Sequence, residues 1–250
     1  MSERPDKASK KSVILFALVL SVICSLMISA AAVGLKGFQL ANMELDKKIN
    51  ILKAADLVDS KKPDKTTINA LYDAHIKAVM VDDQGKIITP GVPGSLNLYL
   101  YQENGEIQGY ILPINSRGLW GKIQGYLAVE KDGQTISGFS IFSHSETPGL
   151  GGEIESAWFQ KNFKGKKILN AQNKFVSVGI AKGKAANLPQ DLQPHYVDGI
   201  SGATLTGKYL SEGIQQTLVT YDAVSITFRQ KQAGAVKKGP QKAATPAGIN

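Results

Sequence analysis

Apolar residues dominate one end of this chain of 250 residues and are spaced periodically elsewhere. Residues 13–35 contain no charged side chain, and at about 1.5 Å per residue a helix of this length crosses the hydrocarbon core of a bilayer. Four basic residues precede this stretch: Arg4, Lys7, Lys10 and Lys11. Because basic residues favour the cytoplasmic side, the pattern predicts a cytoplasmic tail over 1–12, a transmembrane helix over 13–35 and an exported, periplasmic domain. The alternative is a signal peptide cleaved near the small residues 29–32.

Helical periodicity follows the apolar stretch. The first helix is expected to continue past the membrane on the apolar positions Leu45, Ile49, Leu52 and Leu57. A second helix is predicted over residues 64–78, with Asp64 as its N-cap, because an aspartate there accepts hydrogen bonds from the first free N–H groups. Its buried side would carry Ile68, Leu71 and Ile76.

Strand patterns then follow one another closely. Four segments are predicted to be strands: 96–102, 107–114, 123–130 and 135–142. Asn104-Gly105 and Asp132-Gly133 lie between them and are typical of hairpin turns, so the strands should form an antiparallel meander. A helix starting near Thr204 is expected to pack on this sheet, and residues 224–228 are predicted to add a last strand. The fold class is therefore α+β, with one domain over residues 36–230.

The net charge of +8 lies mostly at the two ends of the chain. The first eleven residues carry a net charge of +2 and the last twenty carry +4, which leaves about +2 on the domain between them. Because nucleic-acid binding requires a basic surface on the folded domain, this distribution argues against a nucleic-acid partner. Residues 231–250 are rich in Ala, Gly, Pro and Lys and lack aromatic residues, which predicts a disordered basic tail.

Cysteine and histidine give no indication of a metal site. Cys24 is the single cysteine and lies within the apolar stretch, so the exported domain has no disulfide and no thiolate ligand for a metal. No two of the three histidines, His75, His144 and His195, have metal-ligand spacing. Redox chemistry in this domain would therefore require an organic cofactor or a partner's metal centre.

A loop of small residues opens the helix after Thr204. It reads Asp198-Gly199-Ile200-Ser201-Gly202-Ala203-Thr204. Backbone N–H groups at such a helix start, together with the helix dipole, bind phosphate groups. The predicted contacts of a phosphorylated cofactor are Ser201, Gly202, Ala203, Thr204 and Leu205. The alternative is an ordinary turn in which Ser201 or Thr204 caps the helix.

A nucleotide-hydrolase motif overlaps this loop. Residues 202–209 nearly match the pattern of Gly, four residues and Gly-Lys-Ser/Thr. Tyr209 occupies the last position, so the hydroxyl that would hold Mg²⁺ is missing. The chain also lacks the strand–helix alternation of a parallel sheet, and this interpretation is therefore disfavoured.

A second candidate segment, residues 146–153, is rich in glycine and directly follows a predicted strand. Glycines permit positive φ angles and the close approach of a flat ligand. The expected contacts are Thr147, Gly149, Leu150 and Gly151. Trp120 is a further candidate, with core or lid packing as its alternative. Glu146 and Glu153 lie seven residues apart across this loop and form no recognisable acid–base pair.

These segments occur in the same order in a known family. Residues 198–204 resemble the flavinylation motif Asp-x-x-Ser-Gly-Ala-Thr. With the N-terminal anchor, residues 118–121 (Gly-Leu-Trp-Gly) and residues 146–153, most of the chain resembles the C subunit of the bacterial sodium-translocating NADH:quinone reductase. The alternative is the G subunit of the related complex that couples ferredoxin and NAD, which shares the motifs around Thr147 and Thr204.

The resemblance implies a cofactor and the way it is attached. FMN is expected on Thr204 through a phosphoester bond made by a separate flavin transferase, which uses FAD and releases AMP. Asp198 would assist by holding a metal ion or by accepting the Thr204 proton. Leu150 would cover the isoalloxazine face, Thr147 would hydrogen-bond its edge or the ribityl chain, and Trp120 would line the pocket.

The resemblance also implies a role for the chain as one of six subunits in the cell inner membrane. The domain would relay electrons between an iron–sulfur centre and a second covalent FMN, while the complex oxidises NADH, reduces ubiquinone and exports Na⁺. The chain itself would bind neither NADH nor quinone, since it has no dinucleotide-binding fingerprint. The expected architecture is a single transmembrane helix followed by one FMN-binding domain. Two other classes stay open: a membrane-anchored assembly module without a cofactor, and a flavinylated protein of a different electron-transfer chain.

Overall fold

A computed structural model of the chain describes residues 10–58, 63–89 and 91–237. Its helices and strands have the α+β composition expected from the sequence. In chain order they are α1 (Lys10–Ala54), α2 (Lys65–His75), β1 (Ile76–Val81), β2 (Ile87–Ile88), β3 (Leu96–Glu103), β4 (Glu106–Arg117), β5 (Lys122–Glu130), β6 (Ile136–Ser143), α3 (Ala157–Lys161), β7 (Gly179–Ile180), β8 (Tyr196–Val197), α4 (Thr204–Thr220) and α5 (Asp222–Lys237).

Helix α1 contains the predicted membrane span. It is 45 residues long, and the most apolar 18-residue window has a mean hydropathy of 2.8 with none of its residues buried. By length and composition it can cross a membrane, which indicates a single-pass anchor. The chain divides into two compact units at Leu45/Asp46, so the last turns of α1 belong to the second unit.

The second unit is built on a six-stranded sheet in the order β2-β1-β3-β4-β5-β6, in which every pair is antiparallel. The four predicted strands correspond to β3–β6 and form the expected meander. Asn104 and Gly105, at the β3–β4 turn, have φ angles of 51° and 79°, as the predicted hairpin turn requires. The sheet holds β4 and β5 in continuous register from Gly109↔Glu130 to Arg117↔Lys122.

One face of the sheet packs against α4 and α5. Leu112 and Ile114 of β4 lie in the same buried cluster as Leu127 of β5 and as Leu210 and Ile214 of α4. These side chains lie two residues apart along strand β4 and four residues apart along the helix. Both spacings place side chains on one face of their element, and the two faces pack into one core. Helix α4 is thereby held against the middle of the sheet.

The opposite face is covered by the end of α1. Ile51 and Leu52 are fully buried there, and the Ser140 hydroxyl of β6 donates to Asn50 Oδ1 at 2.6 Å. The domain therefore consists of a sheet between two layers of helix.

Two elements of the structure differ from the prediction. The first is helix α2, which ends earlier than the predicted helix over residues 64–78. This helix has Asp64 as its N-cap, as predicted, but it ends at His75 instead of residue 78. Strand β1 begins at Ile76, because Ile76–Val81 pairs along its whole length with β3.

The second is the predicted strand over residues 224–228, which is wrong, since these residues form part of helix α5. Two of these residues, one helical turn apart, face the sheet: Ser225 Oγ hydrogen-bonds to Tyr110 Oη at 2.7 Å, and the Phe228 ring lies 4.6 Å from that of Tyr110. Helix α5 continues to Lys237, so the first residues of the predicted tail 231–250 are helical. Residues 238–250, and residues 1–9 of the predicted cytoplasmic tail, lie outside the described residues.

Candidate functional site

The loop 198–203 ends in helix α4, with Thr204 as the first helical residue and an exposed side chain. Ala203 is the N-cap residue and makes no side-chain hydrogen bond. The interpretation of Ser201 or Thr204 as a helix cap is therefore wrong. The first N–H groups of any α-helix have no intrahelical partner, and an alanine cap cannot satisfy them. The start of α4 is thus suited to bind an anion.

Helix α4 packs closely against strand β4 of the sheet. The Ser116 hydroxyl of β4 donates to the Tyr209 carbonyl oxygen at 2.8 Å, and the Arg117 guanidinium lies 4.8 Å from the centre of the Tyr209 ring. The helix approaches β4 so closely that a Cβ on Gly213 would lie 2.2 Å from Ser116 Oγ. Thr204 is therefore exposed on the first turn of a helix whose later turns pack on the sheet.

The glycine-rich loop meets the start of α4. Gly202 has a φ of 75°, and a Cβ on it would lie 2.8 Å from Leu150 Cδ2. Gly149 has a φ of 73°, and the Thr147 carbonyl oxygen accepts the N–H groups of Leu150 and Gly152. This turn presents Leu150, which is 43% exposed, beside the Thr204 loop.

Glu146 links the two predicted segments to a third one. Its carboxylate is buried: Oε1 accepts the Trp120 N–H at 3.1 Å, and Oε2 accepts the Thr206 hydroxyl at 2.5 Å. The structure therefore brings the Trp120 loop, the glycine-rich loop and the first turn of α4 together around one side chain. No local sequence pattern indicates this, because Glu146 and Thr206 are sixty residues apart.

The exposed side of this arrangement is apolar. Trp120 is 69% exposed, so its interpretation as core packing is wrong, and Leu119, Leu150 and Leu205 are also exposed. An open cavity of about 820 Å³ runs along the Trp120 loop. Exposed apolar side chains that form a patch mark a surface that binds a ligand or a partner, and the four named here belong to the three segments that Glu146 joins.

Asp198 supports the loop from the other side. Its Oδ1 accepts the Ala185 N–H at 2.7 Å, and the next residue, Gly199, donates its N–H to the Gly183 carbonyl oxygen at 2.7 Å. Burial lowers the pKa of Lys166, and the charge of Asp198 opposes that shift. The structure thus gives Asp198 a partner in the neighbouring loop and, among the described residues, shows no hydrogen bond from it to Thr204.

The structure does not support the nucleotide-hydrolase motif. Residues 204–209, which would form most of the phosphate-binding loop, are already helical. The preceding strand β8 has only two residues and lies outside the main sheet. In that motif an open loop has to wrap the phosphates after a core strand.

Each of the three histidines has a hydrogen-bond partner within the domain. His75 Nδ1 and His195 Nδ1 lie 3.1 Å and 2.6 Å from backbone carbonyl oxygens. His144 Nδ1 accepts the Glu146 N–H at 3.1 Å, and its Nε2 lies 3.3 Å from Glu155 Oε2. In the described part of the chain no three acidic, histidine or cysteine residues are grouped as for a metal ion.

The chain is similar to known proteins. The family model described as the FMN-binding domain matches residues 118–219, which include Trp120, Leu150 and Thr204. The C subunit of the Na(+)-translocating NADH-quinone reductase of Vibrio campbellii is 35% identical over 232 residues, covering 79% of this chain and 85% of the relative. The protein of the same name from Yersinia pestis is 30% identical and covers 95% of this chain and 99% of the relative. The crystal structure of the corresponding protein from Parabacteroides distasonis superposes with a TM-score of 0.67 at 30% identity, covering 76% of this chain and 96% of that one.

Proposed function

Because this chain belongs to the family of the Na(+)-translocating NADH-quinone reductase C subunits, we propose that it carries FMN covalently on Thr204 and relays electrons within that complex. It is a subunit of an NADH-quinone reductase and contains an FMN-binding domain. The observation that carries the proposal is the exposed Thr204 at the uncapped start of α4, two residues after Gly202, which packs against the exposed Leu150.

The residues at the start of α4 fit a phosphate esterified to Thr204. The free N–H groups and the helix dipole favour a negative charge there. The positive φ of Gly202 turns the chain into the helix, and Ala203 adds no bulky side chain. The N–H groups at this helix start would hold the phosphate.

The apolar surface fits the flavin ring. Leu150 and Trp120 would contact the ring, and the exposed Thr147 hydroxyl would hydrogen-bond its edge or the ribityl chain. When bound, FMN supplies one-electron redox chemistry that no side chain of this domain provides. The chain's own residues hold the flavin at the surface, where partner subunits can approach it.

Attachment requires a second enzyme. A threonine hydroxyl is a poor nucleophile unless a base activates it, and within the described residues no side chain hydrogen-bonds to the Thr204 hydroxyl. A flavin transferase would supply the base. Thr204 Oγ forms a bond to the flavin-side phosphorus of FAD, the pyrophosphate bond breaks, AMP leaves, and the hydroxyl proton passes to the transferase.

The membrane anchor fits the same role. By length and composition, helix α1 can cross a membrane, as a retained single-pass anchor requires. The basic residues before it favour a cytoplasmic N-terminus and a domain on the periplasmic side of the inner membrane. Anchoring keeps the flavin at a high effective concentration near the other subunits.

Mass spectrometry of the Thr204 peptide tests the proposal. The full-length chain is co-expressed with a flavin transferase, beside Thr204→Ala and Thr206→Ala variants. A mass increase equal to FMN minus water is expected in the wild-type protein and in Thr206→Ala, and none in Thr204→Ala.

Two results would contradict this assignment. An unmodified Thr204 peptide, with the transferase shown to be active on another substrate, would favour an assembly module without cofactor. Modification in Thr204→Ala would place the flavin on another residue. In the assembled complex, Thr204→Ala should also stop electron flow from NADH to quinone.

A further inference from the structure

The Glu146 carboxylate lies between the three segments of the proposed flavin site and is only 5% exposed. Each of its oxygens accepts one hydrogen bond, from the Trp120 N–H and from the Thr206 hydroxyl. Among the ion pairs of the described residues, none involves Glu146. In this part of the chain it is thus a buried acid without a cationic partner.

Small residues enclose this carboxylate on both sides. A Cβ on Gly118 would lie 2.4 Å from Oε1, and a Cβ on Gly151 would lie 2.7 Å from Oε2. The Glu146 backbone is fixed as well, because its N–H donates to His144 Nδ1. The two glycine-containing loops can therefore pack around Glu146 only because they lack side chains at these positions.

The start of α4 compensates the buried charge. Thr206 is the third residue of the helix, so the carboxylate lies next to the positive end of the helix dipole. A buried carboxylate is retained only where hydrogen bonds and such dipoles stabilise it. The same helix end carries Thr204, two residues before Thr206.

We propose that Glu146 is a positioning residue of the flavin site. Glu146 fixes the Trp120 loop to helix α4, which carries the acceptor Thr204, and it lowers the reduction potential of the attached flavin. The proposal rests on the proposed function, since it concerns a flavin on Thr204. Reduction adds electron density to the flavin, and a negative charge held near the flavin opposes that change. Glu146 therefore links the geometry of the site to its redox property.

Glu146→Gln is the direct test, because it removes the charge and keeps the shape. The full-length flavinylated protein is titrated by spectroelectrochemistry, and mass spectrometry confirms that flavin is attached. The expected result is a positive shift of the flavin midpoint potential. Glu153→Gln is the matched control, because it removes a charge from the same loop. The Glu153 side chain makes no hydrogen bond to any described residue, so the flavin midpoint potential of this variant should stay within error of the wild-type value.

An unchanged potential in flavinylated Glu146→Gln would overturn the proposal. An equal shift in Glu153→Gln would also overturn it, because the effect would then reflect the overall charge of the loop. If the wild-type chain carries no flavin, the proposed function fails, which is a separate outcome.

Thr206→Val provides an independent test that does not depend on folding of the Glu146 variant. It removes one hydrogen bond to Glu146 and nearly conserves volume. In a Trp158→Phe background, in which Trp120 is the remaining tryptophan, Thr206→Val should change the Trp120 emission and its quenching by acrylamide. Unchanged Trp120 fluorescence would refute the connection between α4 and the Trp120 loop.

Discussion

Replacing Gly202 with alanine should destabilise the domain through two separate effects. The φ of Gly202 is 75°, and an L side chain in the left-handed region costs about 1–2 kcal/mol. A Cβ would also lie 2.8 Å from Leu150 Cδ2, so Leu150 must leave its rotamer, at a cost of about 0.5–1.5 kcal/mol. Alanine lowers the conformational entropy of the unfolded chain, which offsets this loss of stability by about 0.4–1 kcal/mol. The free energy of unfolding should therefore fall by about 0.5–3 kcal/mol.

Gly149→Ala separates these two effects. Gly149 has nearly the same φ, 73°, but a Cβ there would meet no atom within 4 Å. It should show only the backbone cost, so Gly202→Ala should be the more destabilising variant by about 0.5–1.5 kcal/mol. Adding Leu150→Ala to Gly202→Ala removes the clashing side chain and should abolish most of this difference.

Urea unfolding of the full-length chain in detergent, followed by circular dichroism, measures these free energies. Thermal scans should show a shift of about 2–4 °C per kcal/mol for a domain of this size. Equal losses for the two glycine variants, or a double variant that recovers nothing, would show that Leu150 does not pack on Gly202.

Three further changes should have measurable effects. Gly213→Ala should lower the free energy of unfolding in urea by about 1–3 kcal/mol, because a Cβ would lie 2.2 Å from Ser116 Oγ. Burial raises the pKa of Tyr221 from 10.0 to about 12. Its contribution to the free energy of unfolding should therefore be complete below about pH 10 and be lost progressively as the pH rises from about 10 through about 12, as a pH series of urea midpoints would show. Asp198→Asn should keep the fold, because an amide oxygen can still accept the Ala185 N–H, but flavin attachment measured by mass spectrometry should fall if the transferase needs the negative charge.

Each of these changes has a matched control. Gly207→Ala, in the same helix, would place a Cβ 3.2 Å from Ile180 Cγ2, and it should be close to neutral; a loss equal to that of Gly213→Ala would contradict the packing argument. Tyr221→Phe loses the hydrogen bond to the Asn97 carbonyl oxygen but should reduce the decline above pH 10, and an undiminished decline would assign it to other groups. Asp191→Asn changes an exposed carboxylate near the same loop, and attachment should be unaffected.

The local sequence determined several parts of this protein. The uncharged stretch 13–35 predicts a membrane helix from composition alone, because a bilayer core accepts few other segments. The hairpins at Asn104-Gly105 and Asp132-Gly133, and the α4 helix from Thr204, depend on residues close together in the chain. The acceptor residue is also predicted from a contiguous motif, and its assignment stays a prediction that the mass of the Thr204 peptide will test.

Tertiary structure decided the rest. Residues 224–228 have a pattern compatible with a strand, but in the fold they are part of helix α5, with Ser225 and Phe228 packed against Tyr110. The role of Glu146 was not visible in the sequence, because its partners Trp120 and Thr206 lie 26 residues before it and 60 residues after it. Spacing patterns encode contacts within one element, whereas the hydrogen bonds of a buried carboxylate depend on which elements the fold brings together.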